Sequence, residues 1–234
     1  MKDMSYLNLQ DIVMEVCCGS WRSAVKAIED GAERIELCQA LSVDGLTPSM
    51  NVLRRLRAKY PGVRIHLLIR AREGDFVYDD DEVAIMEADI REAVEAGASA
   101  IVCGALTPDN DIDTAAMQRW IAAAQGLPVT FHRAFDHVRD PQAALEQLIE
   151  LGVARVLTTG GRMPDGTIAT TAEEGIPALR ALVEQAAGRI IIMPGCGVNN
   201  DNARRIIEET GAREVHGTKL NKKIWQKQNG LAAS

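Results

Sequence analysis

Short runs of β-branched or apolar residues alternate with longer, helically spaced stretches along the whole chain. The runs at 12–17, 34–38, 63–70, 100–103, 128–132, 155–159, 189–193 and 214–216 predict eight strands. Between them, segments 20–30, 49–60, 82–96, 114–124, 141–151, 172–187 and 199–210 carry the three-and-four spacing of amphipathic helices. Their ends are punctuated: Ser20 reads as an N-cap, Asp140-Pro141 as N-cap and first helical residue, and a glycine follows several last turns, as at Gly97 and Gly211. Strict alternation implies parallel strands joined by crossovers, and eight of them predict an α/β fold, a single-domain (β/α)8 TIM barrel. The barrel is expected over 12–216, with 1–11 as an N-terminal extension and 217–234 as a short C-terminal tail. The competing doubly wound sheet lacks a G-x-G-x-x-G turn after its first strand.

Side chains alternate faces along a strand, and the outward face of a barrel strand must meet the helices with apolar groups. Ile35 and Leu37 therefore point outward and Arg34, Glu36 and Cys38 inward; Met14 and Val16 outward, Glu15 and Cys17 inward. The same parity sends Arg64, His66, Leu68, Arg70, Thr130, His132, Glu214 and His216 to the lumen. Ordinary barrel interiors are layers of Val, Ile and Leu, so a lumen of acids, histidines and arginines must be a paired network or a working site. The pattern Glu-x-Cys occurs twice, at Glu15–Cys17 and Glu36–Cys38, and is expected to bring an acid and a thiol, side by side, to one end of the lumen from adjoining strands.

Composition narrows the function. With 234 residues, 47% hydrophobic, the chain supports one sizeable core. A formal charge of −7 argues against nucleic-acid binding; the basic run Lys219, Lys222, Lys223 and Lys227 reads as a solvated tail. No stretch has the ~18 apolar residues of a membrane span, and the N-terminus has no signal-like apolar core, so a cytoplasmic location is expected. Five cysteines are then core residues, metal ligands or reactive thiols before they are disulfides.

The segments "EVCCGSWRSAVKAIEDGAERIELC", "GLTPS", "GDFVY", "VTFHRAFD", "ARVLTTG", "PGCGV" and "EVH" occur in an order and spacing that resembles the CutC copper-homeostasis family, from Glu15 to His216. The resemblance implies a cytoplasmic TIM barrel linked to copper tolerance, proposed to bind Cu(I) and often a homo-oligomer, dimer or tetramer. It carries the family's proposed copper thiols onto Cys17 and Cys38. Its recurring polar positions fall on Glu15, Glu36, Arg70, Asp75, His132, Arg133, Asp136 and His216. The chain departs from the family pattern at "RAREGDF" (70–76), at Cys196 in "PGCG", and in its short segment after the last strand.

Cu(I) is soft and favours thiolates. Two sulfurs on one ion lie roughly 4–5 Å apart, given metal–thiolate bonds of about 2.3 Å, and neighbouring strands ~4.8 Å apart permit this. They equally permit Cys17 and Cys38 to be small buried hydrophobes. Cys18 reads as packing, and Cys103 and Cys196 as further soft ligands or core. A zinc enzyme is disfavoured by the absence of H-E-x-x-H. The alternative class is an enzyme acting on a small phosphate- or carboxylate-bearing metabolite. It would use Glu15, Glu36, Arg70, His132, Arg133 and Asp136 as acid/base and anion-holding groups, and the turn glycines Gly195, Gly197 and Gly160 as an anion cradle. The loop "GGRMPDGTIATT" (160–171) is a candidate lid, and a non-catalytic scaffold is a third reading.

Overall fold

The computed structural model describes residues 9–163 and 166–231; most of the expected N-terminal extension lies outside them. Among these residues, eight parallel strands alternate with eight helices. The strands are β1 (Val13–Cys18), β2 (Arg34–Leu37), β3 (Arg64–Leu68), β4 (Ala100–Cys103), β5 (Val129–Phe131), β6 (Arg155–Thr158), β7 (Ile191–Pro194) and β8 (Glu214–Gly217). The helices are α1 (Trp21–Glu29), α2 (Met50–Lys59), α3 (Asp80–Glu95), α4 (Thr114–Ala123), α5 (Pro141–Glu150), α6 (Ile176–Ala186), α7 (Ala203–Thr210) and α8 (Lys222–Gln228). The sheet runs β7-β6-β5-β4-β3-β2-β1-β8, a nearly closed (β/α)8 barrel.

Closure is completed at the mouth, where Asn199 and Lys219, just beyond β7 and β8, form a parallel bridge. Gly217 makes that seam possible: a Cβ there would lie 2.3 Å from the carbonyl oxygen of Val198. Gly217→Ala is therefore expected to cost about 1–3 kcal/mol, the usual range for overpacking. An unchanged urea midpoint would show that the seam opens freely.

Helix boundaries follow local hydrogen bonding. α3 starts earlier than the pattern suggests because Asp79 caps it, its carboxylate accepting from Glu82 N while Glu82 returns the bond. α7 starts later because Asn199 and Asn202 side chains take the N–H groups of Asp201 and Asn199 and hold that stretch in a turn. α6 is delayed to Gly175, where a Cβ would sit 1.6 Å from Thr159 O, so this crossing over the end of β6 admits only glycine.

The segment after the last strand is structured. Asn221 caps α8 by accepting from Ile224 N, and Trp225 is buried against the barrel. Lys222 pairs with Glu33 at 2.8 Å, and Lys223 donates to Glu29 O. Much of the basic run is thus tied to α1 and its exit loop. Seven residues with one aromatic carry too weak a periodicity to announce this helix.

The core has two layers. The larger lies between strands and helices and holds Val16, Ile35, Leu37, Ile65, Leu67, Phe131 and Val215, together with Cys18 and Cys103. A small inner cluster of Cys17, Cys38, Leu68 and Val102 lies apart from it. The sorting follows the parity expected for these strands, and it makes Cys103 a core residue whose thiol burial raises to about 12.

Candidate metal and ligand site at the barrel mouth

Deep in the lumen, the strand register places Glu15 beside both Arg34 and His216. Glu15 is fully buried and gathers three partners: Arg34 Nε at 2.9 Å, His66 Nδ1 at 2.6 Å and His216 Nδ1, which donates to Oε1 at 2.9 Å. Burial raises a carboxyl's pKa, but the His216 and His66 bonds and the Arg34 charge outweigh it and hold Glu15 well below the usual carboxylate range. Arg34 also reaches Glu214 at 2.6 Å, and Arg155 meets the same oxygen at 2.8 Å. The polar lumen predicted by parity is therefore, at this depth, a paired network.

One layer higher the chemistry changes. The register sets Cys17 level with Glu36, not with Cys38. The two Glu-x-Cys motifs are thus staggered by one inward step, as strand tilt in a barrel requires. The sulfurs still meet on the diagonal: Cys17 Sγ lies 3.9 Å from Cys38 Sγ and 3.5 Å from Glu36 Oε1. His216 Nε2 is 3.9 Å from the same carboxylate oxygen. Ligand atoms of Cys17, Glu36 and His216 all lie within 4.8 Å of one another.

The hydrogen bond to Cys38, burial and the nearby Glu36 push the Cys17 thiol far up, so it is protonated. Burial, reinforced by Glu15, raises Glu36. Burial opposes the charge on His216, but Glu36 and Glu15 prevail and raise it.

Cys17, Glu36 and His216 open onto a cavity of about 450 Å³, whose lining also includes Arg70, His132, Arg133 and Cys196, while Cys38 sits behind Cys17 and outside that lining. Arg70 is largely committed: its guanidinium donates to the carbonyls of Val43, Gly45 and Gly74, clasping the loops after β2 and β3. Asp136 is buried and accepts from Arg133 Nε (3.0 Å), Thr158 Oγ1 (2.5 Å) and Thr159 N (3.0 Å). It thereby positions Arg133 and the end of β6.

Asp75 is exposed and pairs with Arg72 at 3.0 Å, away from the cavity lining. The N–H of Gly195 donates to Thr158 O and that of Gly160 to Thr158 Oγ1, so neither is available to an anion. Gly197 does line the cavity. The 160–171 loop folds back through a bridge between Arg162 and Ile168; its residues 164 and 165 lie outside the described ones.

Sequence reading missed Asn199, His137 and the placement of Lys219, all of which line the cavity. Lys219 had a usable signal: it lies three residues past His216, within the strand-to-helix loop that forms the mouth of such barrels.

His132 is 5% exposed, and its Nδ1 accepts from Ala134 N. Burial, with Arg70 nearby, lowers its pKa to about 3 from an ordinary 6.5. Between these values the unfolded chain binds a proton that the folded one refuses, so this contribution is complete above pH 6.5 and is lost as pH falls. The loss is about 1.4 kcal/mol per pH unit, or just under ~3 kcal/mol by pH 4.5. His132→Gln should flatten the wild-type stability slope between pH 6.5 and 4.5 in urea titrations; equal slopes would contradict the assignment.

The CutC family model matches residues 12–221. The chain belongs to the CutC family. A human copper homeostasis protein cutC homolog is 48% identical over 204 residues, covering 87% of this chain and 72% of the relative. A CutC family protein of Bacteroides thetaiotaomicron is 48% identical over 202 residues, 86% of this chain and 78% of its own length. A solved CutC structure from Streptococcus agalactiae superposes with a TM-score of 0.82 at 39% identity, covering 89% of this chain and 99% of that one. A deoxyribose phosphate aldolase from Aeropyrum pernix reaches 0.65 at 14% identity over 94% and 90% of the two chains, a likeness of fold alone. No helix among the described residues is long and apolar enough to cross a membrane.

Proposed function

We propose that the protein binds Cu(I) through Cys17 and Cys38 at the mouth of the barrel. The observation that carries this reading is the 3.9 Å separation of two buried thiols, short enough for both to hold one ion at about 2.3 Å each. Binding releases the thiol protons. Glu36, 3.5 Å from Cys17 Sγ, is placed to receive one. The soft donor pair suits Cu(I) above hard cations, with Glu36 and His216 as flanking donors.

Titrating Cu(I) into reduced protein under anaerobic conditions should produce a thiolate-to-copper absorption band that saturates at one ion per chain. Saturation only at several ions, or no band, would overturn the assignment. The same reading takes the protein to be cytoplasmic and a homo-oligomer, which light scattering on the eluting protein tests directly.

A second reading, a barrel enzyme acting on a small anionic metabolite, is favoured by the cavity itself. At about 450 Å³ it is far larger than one ion needs and falls within the ~300–1,000 Å³ of small-molecule sites.

A further inference from the structure

We propose that the mouth cavity binds a small hydroxycarboxylic acid, its carboxylate held by His132 Nε2–H and the outer guanidinium nitrogens of Arg133. This deepens the second reading by naming a ligand class, and it requires neither turnover nor metal.

His132 leaves one hydrogen bond unmade. Because His132 Nδ1 accepts from Ala134 N, the neutral ring carries its proton on Nε2. That nitrogen is buried, has no protein partner and belongs to a side chain lining the cavity. Gly104 leaves room for the ring, since a Cβ there would lie 2.8 Å from Nδ1. An idle buried donor costs free energy unless something accepts from it.

Arg133, the next residue, supplies the charge. Asp136 takes its Nε, while Asp44 is the acid nearest Nη1, at 3.9 Å and beyond hydrogen-bond range. The planar nitrogens left over match a carboxylate. A phosphate finds less of a backbone cradle, because the N–H groups of Gly195 and Gly160 already serve Thr158 and only Gly197 of the three turn glycines lines the cavity.

The far end of the ligand follows from topology. β5, which delivers His132 and Arg133, stands four strands from β1 in the sheet order, so Cys17, Glu36 and His216 face them across the mouth. Glu36 Oε2 is a second buried polar atom without a partner. An acid carrying a hydroxyl can satisfy both ends, the hydroxyl donating to Glu36 Oε2, and the cavity lining also offers Leu41, Leu68, Phe76 and Leu157 to its carbon skeleton.

The test uses full-length, chelator-stripped protein, so that it stands apart from the copper reading, and measures binding rather than catalysis. Lactate, glycerate and gluconate are titrated by calorimetry and ligand-observed NMR, with pyruvate and inorganic phosphate as comparisons. At least one hydroxy acid should bind saturably. Its affinity should fall about tenfold or more in Arg133→Gln and in His132→Gln, with Arg133→Lys intermediate and far-UV circular dichroism confirming the fold of each variant. Three results would each overturn the proposal: no binding of any of the three hydroxy acids, tighter binding of pyruvate or phosphate, or undiminished affinity in the two glutamine variants.

Discussion

Arg34→Met is expected to destabilise the barrel by about 3–5 kcal/mol, the range for stranding buried charges. Arg34 is 1% exposed and is shared between Glu15 and Glu214. Methionine matches its bulk, so packing changes little while Glu15 keeps only two histidines and Glu214 only Arg155. The urea midpoint should drop with an unchanged m-value. A loss under about 1 kcal/mol would mean that the histidines and Arg155 suffice, and the lumen would then be less of a charge network than its distances imply. The effect should belong to the broken pair, because replacing all partners with apolar groups of similar volume is often neutral or stabilising.

The second large effect falls on copper. Cys17→Ser/Cys38→Ser should lose Cu(I) affinity by on the order of a hundredfold or more and lose the thiolate band, since a hard hydroxyl replaces a soft sulfur. Cys103→Ala should retain full uptake, because Cys103 packs among the outer core residues and away from the inner thiol cluster. Competition against a Cu(I)-selective chelator measures both. A double serine variant that still saturates at one ion with wild-type affinity would remove the thiols from the site and shift attention to Glu36 and His216.

These expectations depend on features that were legible to different degrees before the structure. Parity assigned Glu15, Cys17, Glu36 and Cys38 to the lumen because Ile35, Leu37 and Val16 must meet the helical shell. Alternation of apolar residues is a local property, so it survives without knowledge of the fold. Depth is not local. The register of β1 against β2 decided that Glu15 is committed to ion pairs while Glu36, one layer up, faces the thiols.

Arg70 and Asp136 illustrate the same limit. Their types suggested chemistry, yet three loop carbonyls hold the first, and the second braces Arg133 and Thr158.

By itself the sequence determined the repeating strand–helix order, the faces of the strands and the family, because each rests on spacing along the chain. Tertiary structure alone decided the stagger of the two Glu-x-Cys motifs, the eighth helix anchored by Trp225, and the unpartnered His132 nitrogen in the cavity. Each of these depends on distances between segments remote in sequence, which are settled only when strand tilt and loop packing close the barrel.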